Sequence, residues 1–214
     1  MAAFVKVQRD HVPIGELPNR IGYDHFSVPA FGIQKHPSAE EVGLAFAQKT
    51  DYQIRQIEKD EFLKIALFDL WLANEDRHQG NYNLMLAAPE ESPAGGTFLR
   101  FMPIDHQMIF NSGEMDETIV LLTEDESLLQ STAFDRLYRS KTKLKTAAKT
   151  IVDLFPGWVQ ACHAHLGSIL ASIPKTWGID LPFLSGYLDQ CLFDPEWVEK
   201  VKAAFIERLK LKIN

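Results

Sequence analysis

Residues 74–81 read Asn74-Glu75-Asp76-Arg77-His78-Gln79-Gly80-Asn81, a polar, turn-prone octet. The stretch that runs into it, residues 57–75, is apolar over most of its length. Phe62, Ile65, Ala66 and Asp69 continue one helical row, and Leu63, Leu67, Leu70 and Trp71 fill the next. A helix apolar over most of its circumference is a buried one. After the octet come two strand candidates, Asn83 to Ala88 and Thr97 to Ile104, and the linker Pro89 to Gly96 can close them into an antiparallel hairpin. The second strand ends in Asp105-His106. The order is therefore buried helix, polar loop, hairpin.

Three residues of this unit carry the chemistry. Asp76 and Asn81 lie five apart on the loop, and Asp105 sits where a strand leaves the hairpin. Strand pairing can return Asp105 to the neighbourhood of Asn81, so that two carboxylates and an amide oxygen converge. Such hard oxygen ligands suit Mg²⁺, which keeps some waters and takes further ligands from phosphate oxygens. Alone, Asp and Asn at this spacing are ordinary turn residues; the triple, in this order around a hairpin, is the informative pattern. Asp76, His78, Asp105 and His106 would alternatively suit a metallohydrolase, but no H-E-x-x-H string occurs and neither His78 nor His106 lies in an H-x-H string. Asp69, on the buried helix, reads as a core carboxylate that anchors the loop.

The same residues carry a family resemblance. Asp76-x-x-x-x-Asn81 followed by a strand-borne Asp105 resembles the catalytic loop and metal-binding aspartate of protein-kinase-like folds. The fuller string, Phe68-Asp69-Leu70-Trp71-Leu72-Ala73-Asn74 leading into Asp76-Arg77-His78 and later Ile104-Asp105-His106, is similar to HipA-like kinases and more distantly to phosphatidylinositol kinases. The resemblance is clearest over residues 60–110. It implies an α+β protein built like the C-terminal lobe of a protein kinase over 57–214, preceded by a short irregular segment over 1–56, a truncated or atypical N-lobe. It implies transfer of a phosphoryl group from ATP with Mg²⁺ to a serine or threonine hydroxyl. Asp76 would orient that hydroxyl and take its proton, while Asn81 and Asp105 would hold Mg²⁺ against the phosphates. Arg77 or His78 would brace the loop or approach the phosphates, and Asn83 is a polar neighbour without a role. A lipid-kinase-like acceptor shares the loop string.

The upstream half is less complete. No G-x-G-x-x-G string exists in the chain. Lys6, in Val5-Lys6-Val7, has the flanks of a phosphate-gripping lysine, with Glu40 or Glu41 as its partner. About 55 residues precede the buried helix, fewer than the roughly 60–80 that five strands and a helix need. A second reading follows: a catalytically incomplete lobe that acts as a binding or regulatory module, or is completed by a partner chain. The first fifty residues read as loops with two short strands, near Phe4 to Val7 and Phe31 to Ile33, and a short helix from Ser38 to about Gln48.

After Gly113 the pattern is helical to the C-terminus, with breaks at Pro156-Gly157, at Pro174 and around Pro182 to Gly186. A last helix starts behind Asp194 as N-cap with Pro195 at the first helical position. His163 and His165 would face different sides of one helix. Arg136, Arg139, Lys141, Lys143, Lys145 and Lys149 form a basic stretch, either a solvated helix face or a docking site for an acidic or phosphorylated partner.

Composition sets the outer bounds. The chain has 214 residues, 46% hydrophobic and 24% charged, which is globular rather than disordered. Its formal charge of −7 argues against bulk binding to nucleic acid or an anionic membrane. With only Cys162 and Cys191 there is no disulfide framework. Charges arrive too early at the N-terminus for a signal peptide, and Phe62 to Ala73 is too short and too interrupted by Lys64 and Asp69 to span a bilayer. A cytoplasmic location fits best.

Overall fold

The computed structural model describes residues 2–5, 30–33, 39–88, 98–112 and 118–213, with side chains described over 39–88, 98–112 and 118–210. At the N-terminus β1 (Ala2–Val5) pairs antiparallel with β2 (Ala30–Ile33). These two strands fall close to the two expected from the sequence. Next come β3 (Glu40–Glu41), a 3₁₀ turn at Leu44–Gln48 and α1 (Asp51–Arg55). The expected helix behind Ser38 is thus a strand and a short 3₁₀ turn, whose flanking Gly43 supplies no side-chain cap. Thr50 and Gln53 form a reciprocal capping box that starts α1 instead. Val42, Phe46 and Ile54 are buried in the same core as the residues that follow position 57.

The helix read from the sequence is α2 (Lys59–Leu72). It contains no Gly or Pro and only one β-branched residue, Ile65, and Asp60 and Glu61 lie at its dipole-positive end. Phe62, Leu63, Leu67 and Leu70 are fully buried, so packing covers nearly every face. It ends in a Schellman turn: Ala73 adopts a left-handed conformation at φ 48°, and the Asn74 and Ala73 amides donate back to the Asp69 and Leu70 carbonyls.

Beyond the loop, β4 (Leu84–Ala87) and β5 (Arg100–Pro103) form the expected hairpin, shorter at both ends. Leu84 faces Pro103 and Leu86 faces Phe101, and β3 completes the sheet in the order β3-β4-β5. Phe101 carries this sheet onto α2 through an edge-on contact with Phe62 at 5.3 Å.

The C-terminal part is helical, but later than expected. Residues 118–131 are largely irregular, and helix resumes at α3 (Thr132–Leu137) and α4 (Lys141–Ala171). The expected break at Pro156-Gly157 does not occur, because α4 runs through it. A mid-helix proline costs on the order of 3 kcal/mol; here the buried row Leu144, Ile151, Phe155, Val159, Leu166 and Leu170 offsets it. Pro182 does not break α5 (Leu181–Cys191) either, since it lies in the first turn, where no N–H is required. As expected, α6 (Pro195–Ile213) begins behind Asp194, whose carboxylate accepts from the Trp197 amide at 3.2 Å.

Two tryptophans lock this bundle to α2. Trp71 donates its indole N–H to the Leu192 carbonyl at 2.8 Å, and Trp197 donates to the Trp71 carbonyl at 3.0 Å. The fold is α+β, and among the described residues no helix is long and apolar enough to cross a membrane.

Candidate active site

The end of α2 and the open end of the β4–β5 hairpin deliver the polar residues to one place. The Ile104 amide donates to the Asn83 carbonyl at 2.9 Å, extending the strand pairing by one step past Leu84 and Pro103. Residues 81–83 and 104–106 therefore leave the hairpin side by side. His78 and Asn81 close the loop between them through two backbone hydrogen bonds, at 3.0 and 3.1 Å. His78 tightens this turn further, its Nδ1 accepting from the Gly80 amide at 3.0 Å.

Asp76 sits at the centre. Its Oδ1 accepts from the Asn81 amide at 2.8 Å, and its Oδ2 accepts from the Asn83 amide at 2.9 Å. Both carboxylate oxygens are thereby oriented, while lone pairs remain for a further donor. Because Asn81 spends its Nδ2 on Asp76, its Oδ1 is left as an acceptor. Asp105 follows β5 with an exposed side chain and a left-handed φ of 52°, a conformation in which non-glycine residues mark functional sites more often than chance. The backbone brings Asp105 alongside; no hydrogen bond joins its carboxylate to Asp76, Asn81 or Asn83.

Arg77 is placed differently from a phosphate ligand. Its side chain is fully buried and reaches beneath the loop. There it pairs with Asp69, donates to the Ile104 carbonyl at 2.6 Å and to the Asn83 carbonyl at 3.3 Å, and meets His106 Nε2 at 3.3 Å. Of the two roles expected for it, the geometry is that of the brace. Asp69 anchors the loop, as its sequence position suggested. Burial pushes its carboxyl up to about 6, against the pull of Arg77 and the Asn74 amide. Burial, and then the Arg77 charge, push His106 down to about 4, while Asp105 pulls the other way. His106 is thus a neutral acceptor for Arg77 at ordinary pH.

Reading the sequence missed four contributors. Asn83 had no role, yet it holds half of the Asp76 carboxylate. Asn74, fully buried, links Asp69 to the Asp76 amide. Gln79 accepts from the Thr132 amide at 2.9 Å and so fixes the start of α3 to the loop. Glu75 holds the residues after Asp105, its two oxygens accepting from Asn111 at 3.3 Å and Ser112 at 3.0 Å. The signal available was the density of Asn, Gln and acidic residues over 74–83, more than turn formation alone requires. Lys6 lies outside the described residues. Glu40, one of its two expected partners, pairs with Lys49 at 2.8 Å.

The donor set fits a hard cation. Asn81 Oδ1 and the Asp105 carboxylate are hard oxygen donors of the kind Mg²⁺ takes, and they are the residues that could hold one together with phosphate and water oxygens. Among the described residues no group of three or more His, Cys, Asp or Glu is arranged to hold a metal ion. The His-and-carboxylate arrangement of a metallohydrolase is therefore not formed there.

The loop thus lies between a buried helix and a hairpin, with Asp76 clamped by two asparagines and Asp105 at a strand end. The family model described as HipA-like kinase matches residues 21–185, most of the chain, and the protein belongs to that family. Comparisons with curated proteins and with solved structures give no match.

Proposed function

We propose that the chain transfers the terminal phosphoryl group of Mg²⁺-bound ATP to a serine or threonine hydroxyl. The observation that carries this is the doubly clamped Asp76, held by Asn81 and Asn83 beside the strand end that bears Asp105. Phosphoryl transfer asks little covalent chemistry of a protein; it asks for alignment and neutralisation of charge. Asp76 orients the acceptor hydroxyl and receives its proton as the new O–P bond forms and the bond to the leaving diphosphate breaks. Asn81 and Asp105 would hold Mg²⁺, which neutralises the phosphate oxygens. Arg77 and Asp69 keep the loop's floor rigid, so that the distances hold when substrate enters.

The test is calorimetric titration of the purified chain with ATP, with and without Mg²⁺, beside Asp105→Asn. Saturable Mg²⁺-dependent binding that the substitution abolishes supports the reading. A well-folded chain that binds no nucleotide overturns it, and the lobe is then a binding module or one half of a two-chain enzyme.

A further inference from the structure

A cavity of about 390 Å³ lies at the far end of α2 from the loop, lined by Arg55, Lys59, Arg136, Arg139 and Lys143 against the carboxylates Asp51 and Asp60. Lys59 opens α2, whose 14 residues rise about 21 Å, so the cavity and Asp76 are separated by the helix length. Of the six charges in the basic stretch, three converge here, and α1 and α2 add two more.

These cations are poorly compensated. One exposed carboxylate, Asp51, serves both Arg136 at 2.6 Å and Arg139 at 3.1 Å; the other partners of the cavity's arginines are neutral, Arg136 donating twice to the Lys49 carbonyl and Arg55 to the Asp51 carbonyl. Lys59 donates only to a neutral carbonyl, that of Leu137, at 3.0 Å. The 31-residue α4 starts at the same place without an acidic residue in its first turn. Lysines instead occupy the end where the helix dipole favours anions. A local rule is thus broken in a chain whose formal charge is −7, and such violations mark function. Burial, then the charges of Lys143, Arg136 and Arg139, push the Lys59 ammonium below its ordinary range.

We propose that this cavity binds a phosphate monoester. Arginine forks match phosphate oxygens bidentately, and a dianion relieves several repulsions at once. The volume admits the phosphate together with part of its carrier, which is a phosphorylated side chain or a free small phosphate. The proposal does not depend on the phosphoryl-transfer reading.

The test is calorimetry on the whole chain at fixed ionic strength with three probes: inorganic phosphate, glucose 6-phosphate, and a phosphoserine peptide beside its unphosphorylated form. At least one phosphate probe is expected to bind saturably, at least tenfold more weakly to the Arg139→Gln/Lys143→Gln double variant and equally to Asp105→Asn. Both substituted residues are exposed, so the fold should persist, which a melting curve checks; Lys143→Gln alone should move affinity in the same direction. Binding by the phosphopeptide alone assigns a phosphorylated segment, and equal binding by the small phosphates assigns a free ligand. No saturable binding by any probe, binding that survives the double substitution, or binding lost in Asp105→Asn overturns the proposal.

Discussion

Arg77 pairs with Asp69, eight residues earlier and on the preceding helix, and both side chains are sealed from solvent. A buried ion pair adds little net stability over an apolar pair, but removing one partner strands the other. Arg77→Ala leaves a buried carboxylate, strips the Ile104 carbonyl of its donor and takes one of two donors from the Asn83 carbonyl. It should cost about 3–5 kcal/mol, read as a lower denaturation midpoint at unchanged slope. A loss of activity with stability intact would show that Arg77 acts on substrate rather than on the loop.

The opposite pattern is expected at Asp76. Asp76→Asn keeps the shape of a part-buried side chain but removes the carboxylate that the proposed function uses as proton acceptor, and with it one of the two oxygens that accept from Asn81 and Asn83. It should lower kcat by roughly 10²–10⁴ with only a small change in melting temperature. Comparable loss of stability in Asp76→Asn and Arg77→Ala would show that both serve the fold alone.

His106 should stay neutral well into acid. Its folded pKa of about 4 lies below the ordinary 6.5, so the unfolded chain binds more protons between those values. Its contribution to stability is accordingly present above pH 6.5 and lost as pH falls toward 4. An NMR titration of the imidazole checks this directly; a midpoint near 6.5 contradicts the burial and the Arg77 contact from which the shift arises.

Glu75 ties the segment after Asp105 to the loop. Phe110, Asn111 and Ser112 all have φ between 54° and 58°, a left-handed run that the chain does not favour without support. Asn111 also accepts from the Val120 amide at 2.8 Å. Glu75→Ala should speed hydrogen exchange of the Asn111 and Val120 amides at least tenfold, while the amides within α2 keep their protection. Unchanged exchange would assign the turn's stability to other contacts.

The parts of this structure legible in sequence were those with strong local signals. The apolar surround of Phe62 to Trp71 announced a buried helix, and Asp194-Pro195 announced the start of α6. Pro156 misled because the proline penalty is local, whereas the burial that offsets it spans the whole of α4. Residues 118–131 misled because Thr123, Ser127 and Ser131 make short-range turn hydrogen bonds while Ile119, Leu122, Leu128 and Leu129 enter the core from an irregular backbone. At the candidate site, type and spacing singled out Asp76, Asn81 and Asp105, of which the first two meet through a hydrogen bond. Asn83 was not singled out, since its function depends on a left-handed φ of 44° that turns its amide back to Asp76. The cation cavity was half legible: the basic stretch supplied Arg136, Arg139 and Lys143, whereas only packing adds Arg55 and Lys59 to them.

The Trp197 indole reaches the Trp71 carbonyl across 126 positions of sequence. In a chain made from its N-terminus at about 5–20 residues per second, the loop emerges roughly 6–25 s before the residue that fastens its supporting helix. During that interval the apolar flank of α2 around Trp71 lacks its partner, and the loop stands on an unfinished floor. Arrested nascent chains ending before Asp194 should be cut by protease near residues 74–83, and chains extending through α6 should resist. The order of synthesis therefore leaves the support of the loop incomplete until α6 has docked on α2.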